Sequence, residues 1–151
     1  MSDDATHAPV LLACRKLARA MDLFDEAACA SLGVGRSDLR ALNLLEDGPL
    51  RAAELADRLG LTRPAVTALV DRLVAAGLAH RVAVPGDRRA TAVALGDATW
   101  QAFARVYRPL GERVRTAVEA LPPAERAAVG AALDVLTAAF RDARARLAAG
   151  S

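Results

Sequence analysis

Aromatic residues are nearly missing from this 151-residue chain, which has one Trp, one Tyr and three Phe, 3% of the sequence. Any core must be built from aliphatic and small side chains. Much of the 54% hydrophobic content is alanine, so helices suit the composition better than sheets. Cysteine is also scarce. Cys14 and Cys29 fit neither a disulfide framework nor a cysteine-rich zinc site, which makes a reducing cytoplasm the simpler setting. The two imidazoles, His7 and His80, stand far apart without a neighbouring ligand pattern, and no metal site is expected. No stretch approaches the roughly 18 uncharged apolar residues of a membrane span. The N-terminal MSDDATHAPV is acidic where a targeting peptide would be arginine-rich. A Gly-rich phosphate loop, a Cys/His cluster and a recognisable Ser-His-Asp set are likewise missing, so neither an enzyme nor a cofactor is expected.

Charge is present but unevenly spread. Between Arg51 and Leu95 there are seven arginines against four acids, a net +3, which leaves the rest of the chain at −1 out of a total of +2. A basic middle of this kind is either an electrostatic footprint for nucleic acid or a solvated face, and charge alone does not choose. Hydrophobic spacing is more informative. Val10, Cys14, Leu17, Met21, Phe24, Ala28 and Leu32 recur every three or four residues and predict one long helix ended by Gly33 and Gly35. Leu39, Leu42 and Leu45 mark a second helix from Arg36 to about Glu46, which Asp47-Gly48-Pro49 stops. After the basic middle, residues 97 to 120 and about 123 to 148 carry helical periodicity, separated by Pro122-Pro123, with a kink expected at Pro109.

In the middle, RAAELADRL (51 to 59) predicts a short helix capped by Gly60, and a second helix runs from the N-cap Thr62 to Ala76. Ala56, Gly60 and Val66 stand at offsets of zero, four and ten. A small residue lets two helices approach, a glycine accepts the left-handed turn, and a Val plugs the angle between them, as in a helix-turn-helix. An ordinary helical hairpin is the plain alternative. If Val66, Leu69, Val70 and Leu73 are buried, the second helix presents Pro64, Thr67, Ala68, Asp71, Arg72 and Ala75 outward, with Arg63 near its N-terminus. Thr62 and the helix N-terminus suit a phosphate, and Thr67 and Arg72 suit base edges. Asp71 would be repelled by phosphates and is expected to pair with an arginine. Residues 78 to 95 then alternate around Pro85-Gly86-Asp87-Arg88-Arg89 and predict a β-hairpin. Its tip offers Arg88 and Arg89 to a minor groove, with Asp87 holding one of them; an exposed charged turn is the alternative.

The stretch from about Val34 to Leu95 resembles the MarR family of bacterial regulators. The likeness is carried by LRALNLLEDGPLRAAELADRLGLTRPAVTALVDRLVAAGLAHR followed by PGDRRATAVAL. It implies a mainly α fold with a small β-hairpin wing, a winged helix-turn-helix over 34–95 within one unit of 1–151, and dimerisation helices at 8–33 and 97–148. It further implies a homodimer on double-stranded DNA, no membrane, and repression released by a small-molecule effector. DNA contact is expected from Thr62, Arg63, Pro64, Thr67, Arg72, Arg88 and Arg89, with Asp87 supporting Arg89. Two departures stand out: Ala68, where relatives often carry Arg, and Leu95-Gly96-Asp97 in place of Leu-Thr. Met21, Phe24, Arg36, Leu39, Trp100 and Phe103 are the candidates for lining an effector crevice. Cys14 is the candidate for a thiol-based redox sensor, against a structural cysteine on the apolar stripe. An interaction adaptor of the same fold without DNA binding is the other alternative.

Overall fold

The computed structural model describes residues 4–150, with the side chains of 4–7, 88 and 89 left aside. The elements follow in the order α1 Asp4–Leu32, α2 Arg36–Leu45, β1 Leu50–Arg51, α3 Ala52–Leu59, α4 Arg63–Ala75, β2 Ala79–Val84, β3 Asp87–Leu95, α5 Asp97–Glu119 and α6 Pro123–Ala149. They form two compact units, Met1–Val106 and Tyr107–Ser151.

In the first unit the apolar residues of α2, α3 and α4 point at one another. Leu39, Leu42, Leu55, Val66, Leu73 and Phe103 are its largest fully enclosed side chains. Each helix brings them at spacings of three and four, so a single stripe per helix turns inward and the remainder stays wet. Closing such a core with aliphatic side chains makes it sensitive to truncation, since an enclosed Leu cut to Ala costs about 2–5 kcal/mol.

The sheet has three antiparallel strands in the order β1-β3-β2, with Leu50 opposite Val93 and Arg81 opposite Val93 on the other side. The expected hairpin is present, and β1 is an addition to it. Two residues are too few to show the alternation by which a strand is read from sequence. Buried Leu50 and Val93 carry the sheet onto the helices. Gly96 links β3 to α5: its N–H donates to the Leu78 carbonyl at 3.0 Å, and a Cβ there would stand 3.0 Å from the Gly77 carbonyl. That close approach accounts for glycine at the position where threonine was the expected residue. Its own carbonyl accepts from Trp100 N at 2.9 Å and so opens the helix.

On α1 the foreseen stripe is present, yet among its described residues only Ala28 is buried, while Val10, Leu17 and Met21 remain about half exposed. α5 continues through Pro109 as one helix. In the second unit, α6 begins with Pro123 at its first position and buries none of its described residues. Val129, Leu133, Leu136, Phe140 and Leu147 follow spacings of four, three, four and seven, the 3.5-residue period of a seam that packs against another helix.

Candidate nucleic-acid interface

The turn between α3 and α4 begins with a helix end that only glycine closes without strain. Gly60 lies at φ 68°, ψ 37°. Its N–H donates to the Asp57 carbonyl at 3.3 Å, and Leu61 N donates to the Ala56 carbonyl at 2.9 Å. These two bonds are a Schellman motif, which satisfies the last carbonyls of α3 while turning the chain sharply. Thr62 then takes extended backbone angles as N-cap of α4, and its Oγ1 accepts from Ala65 N at 3.4 Å. Ala56 and Val66 are both buried where the helices meet.

α4 divides as the periodicity predicts. Val66, Leu69, Val70 and Leu73 are buried, and Pro64, Thr67, Ala68, Asp71, Arg72 and Ala75 are exposed or partly so. Its first turn holds no acid and carries Arg63 instead. A cation there opposes the helix dipole, so helix stability does not explain it. Together with the positive end of the helix dipole it makes that end attractive to an anion. The Thr67 hydroxyl donates back to the Arg63 carbonyl at 3.0 Å, which leaves its oxygen outward as an acceptor.

Three arginines of the basic middle are tied to acids on other elements. Arg72 Nη2 donates to Asp38 Oδ1 of α2 at 2.5 Å. This hydrogen bond, with the attraction of the carboxylate's charge, raises the guanidinium pKa above its ordinary value, so Arg72 is cationic at every working pH. Arg81 of β2 donates to Asp71 Oδ1 at 2.6 Å, so Asp71 has the arginine partner expected of it. Asp87 Oδ2, next to the turn at the tip of the wing, lies 3.9 Å from Arg51 Nη2, at the outer limit of an ion pair. Arg58 and Arg63 carry no ion pair among the described residues. The side chains of Arg88 and Arg89 lie outside the described residues.

The backbone of the wing is described, and its turn is shorter than the sequence implies. Strand β3 resumes at Asp87 directly after Pro85-Gly86. Ala83 then pairs with Thr91 and Val84 with Asp87, so residues 88–90 face a single step of β2. A bulge of this kind bends a strand and increases its local twist, and here it spans positions 88–90.

The six crevice candidates differ in burial. Leu39 and Phe103 are 1% exposed and belong to the core, whereas Met21 is 60% and Trp100 49% exposed. Phe24 is half-buried. Arg36 is held by α1: its guanidinium lies 3.5 Å from both Asp22 Oδ1 and Glu26 Oε1, and it donates to the Asp22 carbonyl at 3.1 Å. Of the six, Phe103 lines a cavity of about 270 Å³ with Leu32, Val34, Leu42, Leu78 and Thr99. Cys14 and Cys29 are half-buried free thiols on α1. Among the described residues no group of three His, Cys, Asp or Glu could hold a metal ion, and no helix is long and apolar enough to cross a membrane.

Sequence reading missed Asp38 and Arg81. Neither belongs to a local pattern, and their partners are 34 and 10 residues away. Only Asp71, a carboxylate on an outward arc that needed compensation, signalled that such a partner existed.

Comparison with known proteins agrees with this geometry. A profile described as the MarR family matches residues 32–90. YcgE of Bacillus subtilis (strain 168), an uncharacterised HTH-type transcriptional regulator, is 40% identical over 99 residues. That match takes in 65% of this chain, which spans 64% of the length of YcgE. RV1404 from Mycobacterium tuberculosis is similar in structure, with a TM-score of 0.65 and 30% identity, covering 92% of this chain and 94% of that one. A single-residue mutant of MepR from S. aureus, solved bound to an oligodeoxyribonucleotide, shares the fold at a TM-score of 0.56 and 19% identity, covering 87% of this chain and 97% of its own. With the profile lying on α2 to the wing and the likeness to solved structures running through the flanking helices, this chain belongs to the MarR family, whose members are transcriptional regulators and not enzymes.

Proposed function

We propose that the protein is a cytoplasmic homodimeric repressor that occupies a pseudopalindromic operator in double-stranded DNA. The observation that carries this reading is α4. It is anchored by a buried stripe, its first turn is free of acid and carries Arg63, which has no ion pair among the described residues, and its outer arc is small or polar. That arc suits a major groove, with Thr62 and Arg63 on phosphate, Pro64 at the point of closest approach, and Thr67 and Arg72 toward base edges. The wing follows, with Arg88 and Arg89 on the neighbouring minor groove and Asp87 beside them at its tip in support of Arg89. MepR bound to an oligodeoxyribonucleotide supports this use of the fold.

Two copies are needed because the stripe on α1 and the seam on α6 are uncovered in one chain. A two-fold dimer sets two α4 helices in successive major grooves. Release by a small, largely apolar effector completes the reading, and the cavity beside Phe103 supports it. An adaptor without DNA binding is disfavoured, because the charge of Asp71 is already compensated by Arg81.

The test is fluorescence anisotropy with the duplex flanking the protein's own coding region and an unrelated duplex of equal length. Tighter binding to the first, falling steeply with salt, is expected. Equal, weak and salt-insensitive binding to both would overturn it.

A further inference from the structure

The ion pairs of the winged region differ in one respect. The carboxylates of Asp71 and Asp87 are about half exposed or more, whereas the Asp38 side chain is 15% exposed and its partner Arg72 is 55% exposed. Asp38 thus sits sheltered on α2 and reaches out to a guanidinium at the edge of the outward arc of α4. An exposed pair trades freely with water, but a shielded carboxylate holds its partner in one geometry. The bond uses one of the five N–H donors of Arg72, and four remain.

From this arrangement we infer that Asp38 is a positioning residue for sequence recognition, orienting the free donors of Arg72 toward a guanine edge. The inference rests on the reading of α4 as the recognition helix. An arginine on a flexible stem must be ordered before it can make a bidentate contact, and an arginine already docked loses less freedom on meeting the base. Asp38 suits this role because it supplies the charge from a neighbouring helix, so no additional acid is laid on the arc that meets phosphate. Arg72 paired in this way also differs from Arg63, which has no such partner among the described residues and suits phosphate without regard to sequence.

The experiment selects binding sites from random-sequence duplexes with the full-length chain, then titrates the selected site and its single-base variants by anisotropy. Arg72→Ala is expected to flatten preference at one G·C pair per half-site, where a bidentate contact discriminates about 5- to 150-fold. Asp38→Ala should flatten the same position, with affinity for a scrambled duplex within about twofold of wild type and no added effect in the Arg72→Ala background. Asp38→Asn keeps the size and an acceptor oxygen, so it provides the same readout if the alanine variant folds poorly; it should retain part of the preference. Full preference in both Asp38 variants would overturn the inference, as would an equal loss on every duplex, the mark of a merely structural pair. A wild-type chain that selects no sequence would overturn the operator reading together with this one. One that selects a site insensitive to both residues would overturn the positioning role alone.

Discussion

Arg63 and the Arg81–Asp71 pair give opposite expectations for the salt dependence of binding. Arg63 stands at the first position of α4 without an acidic partner among the described residues, so a phosphate that meets it displaces a condensed counterion. Each such contact contributes about 0.9 to the slope of log K against log salt. A dimer offers two copies, so Arg63→Ala should make the slope shallower by about 1.8. Between about 50 and 200 mM salt the wild type would then lose roughly twelvefold more affinity than the variant. Arg81 already neutralises Asp71 at 2.6 Å, so the charge-preserving double variant Arg81→Gln with Asp71→Asn should leave the slope near that of wild type. The assay is anisotropy across a salt series, with urea melts as a control for folding. Because a cation at a helix N-terminus does not favour the helix, Arg63→Ala should change stability by no more than about 0.5 kcal/mol. An unchanged slope for Arg63→Ala, or an equal change for the double variant, would rule out this division of labour between the two arginines.

Other perturbations test different layers of the structure. Leu55→Ala empties a fully enclosed site between α2, α3 and α4 and should lower stability by about 2–5 kcal/mol in urea melts at fixed protein concentration. Gly60→Ala forces a Cβ into the left-handed region at φ 68° and should cost about 1–2 kcal/mol, read from the same melts. Arg89→Ala should weaken operator binding while sedimentation still reports a dimer; equal affinity for both proteins would count against the wing. Leu133→Glu places a charge in the α6 seam and should shift sedimentation toward monomer without altering the first unit's helix content.

The winged region was legible because its residues obey local rules. A buried face every three or four residues revealed α4, and Gly60, Thr62 and Gly77 marked where the helices end. What escaped needed partners from afar. β1 has two residues and exists through its pairing with β3. Asp38 meets Arg72 across 34 residues, a distance that periodicity does not span. The wing arginines were read as turn residues, since a bulge depends on the register between two strands and not on the composition of either. On α1 and α6 the apolar spacing was plain, but spacing does not reveal what covers it. Apolar spacing also does not separate crevice from core: Leu39 and Phe103 carry the same signal whether they line a ligand or fill a core, and here both are enclosed.

Whether α4 and the wing together form the DNA surface is decided by titrating the amide resonances of the full-length chain with a bound duplex. The largest shifts should fall on residues 62–72 and on the wing at 86–90, with α6 little affected. Shifts that concentrate on α6, or that spare α4 altogether while DNA is bound, would place the DNA surface elsewhere.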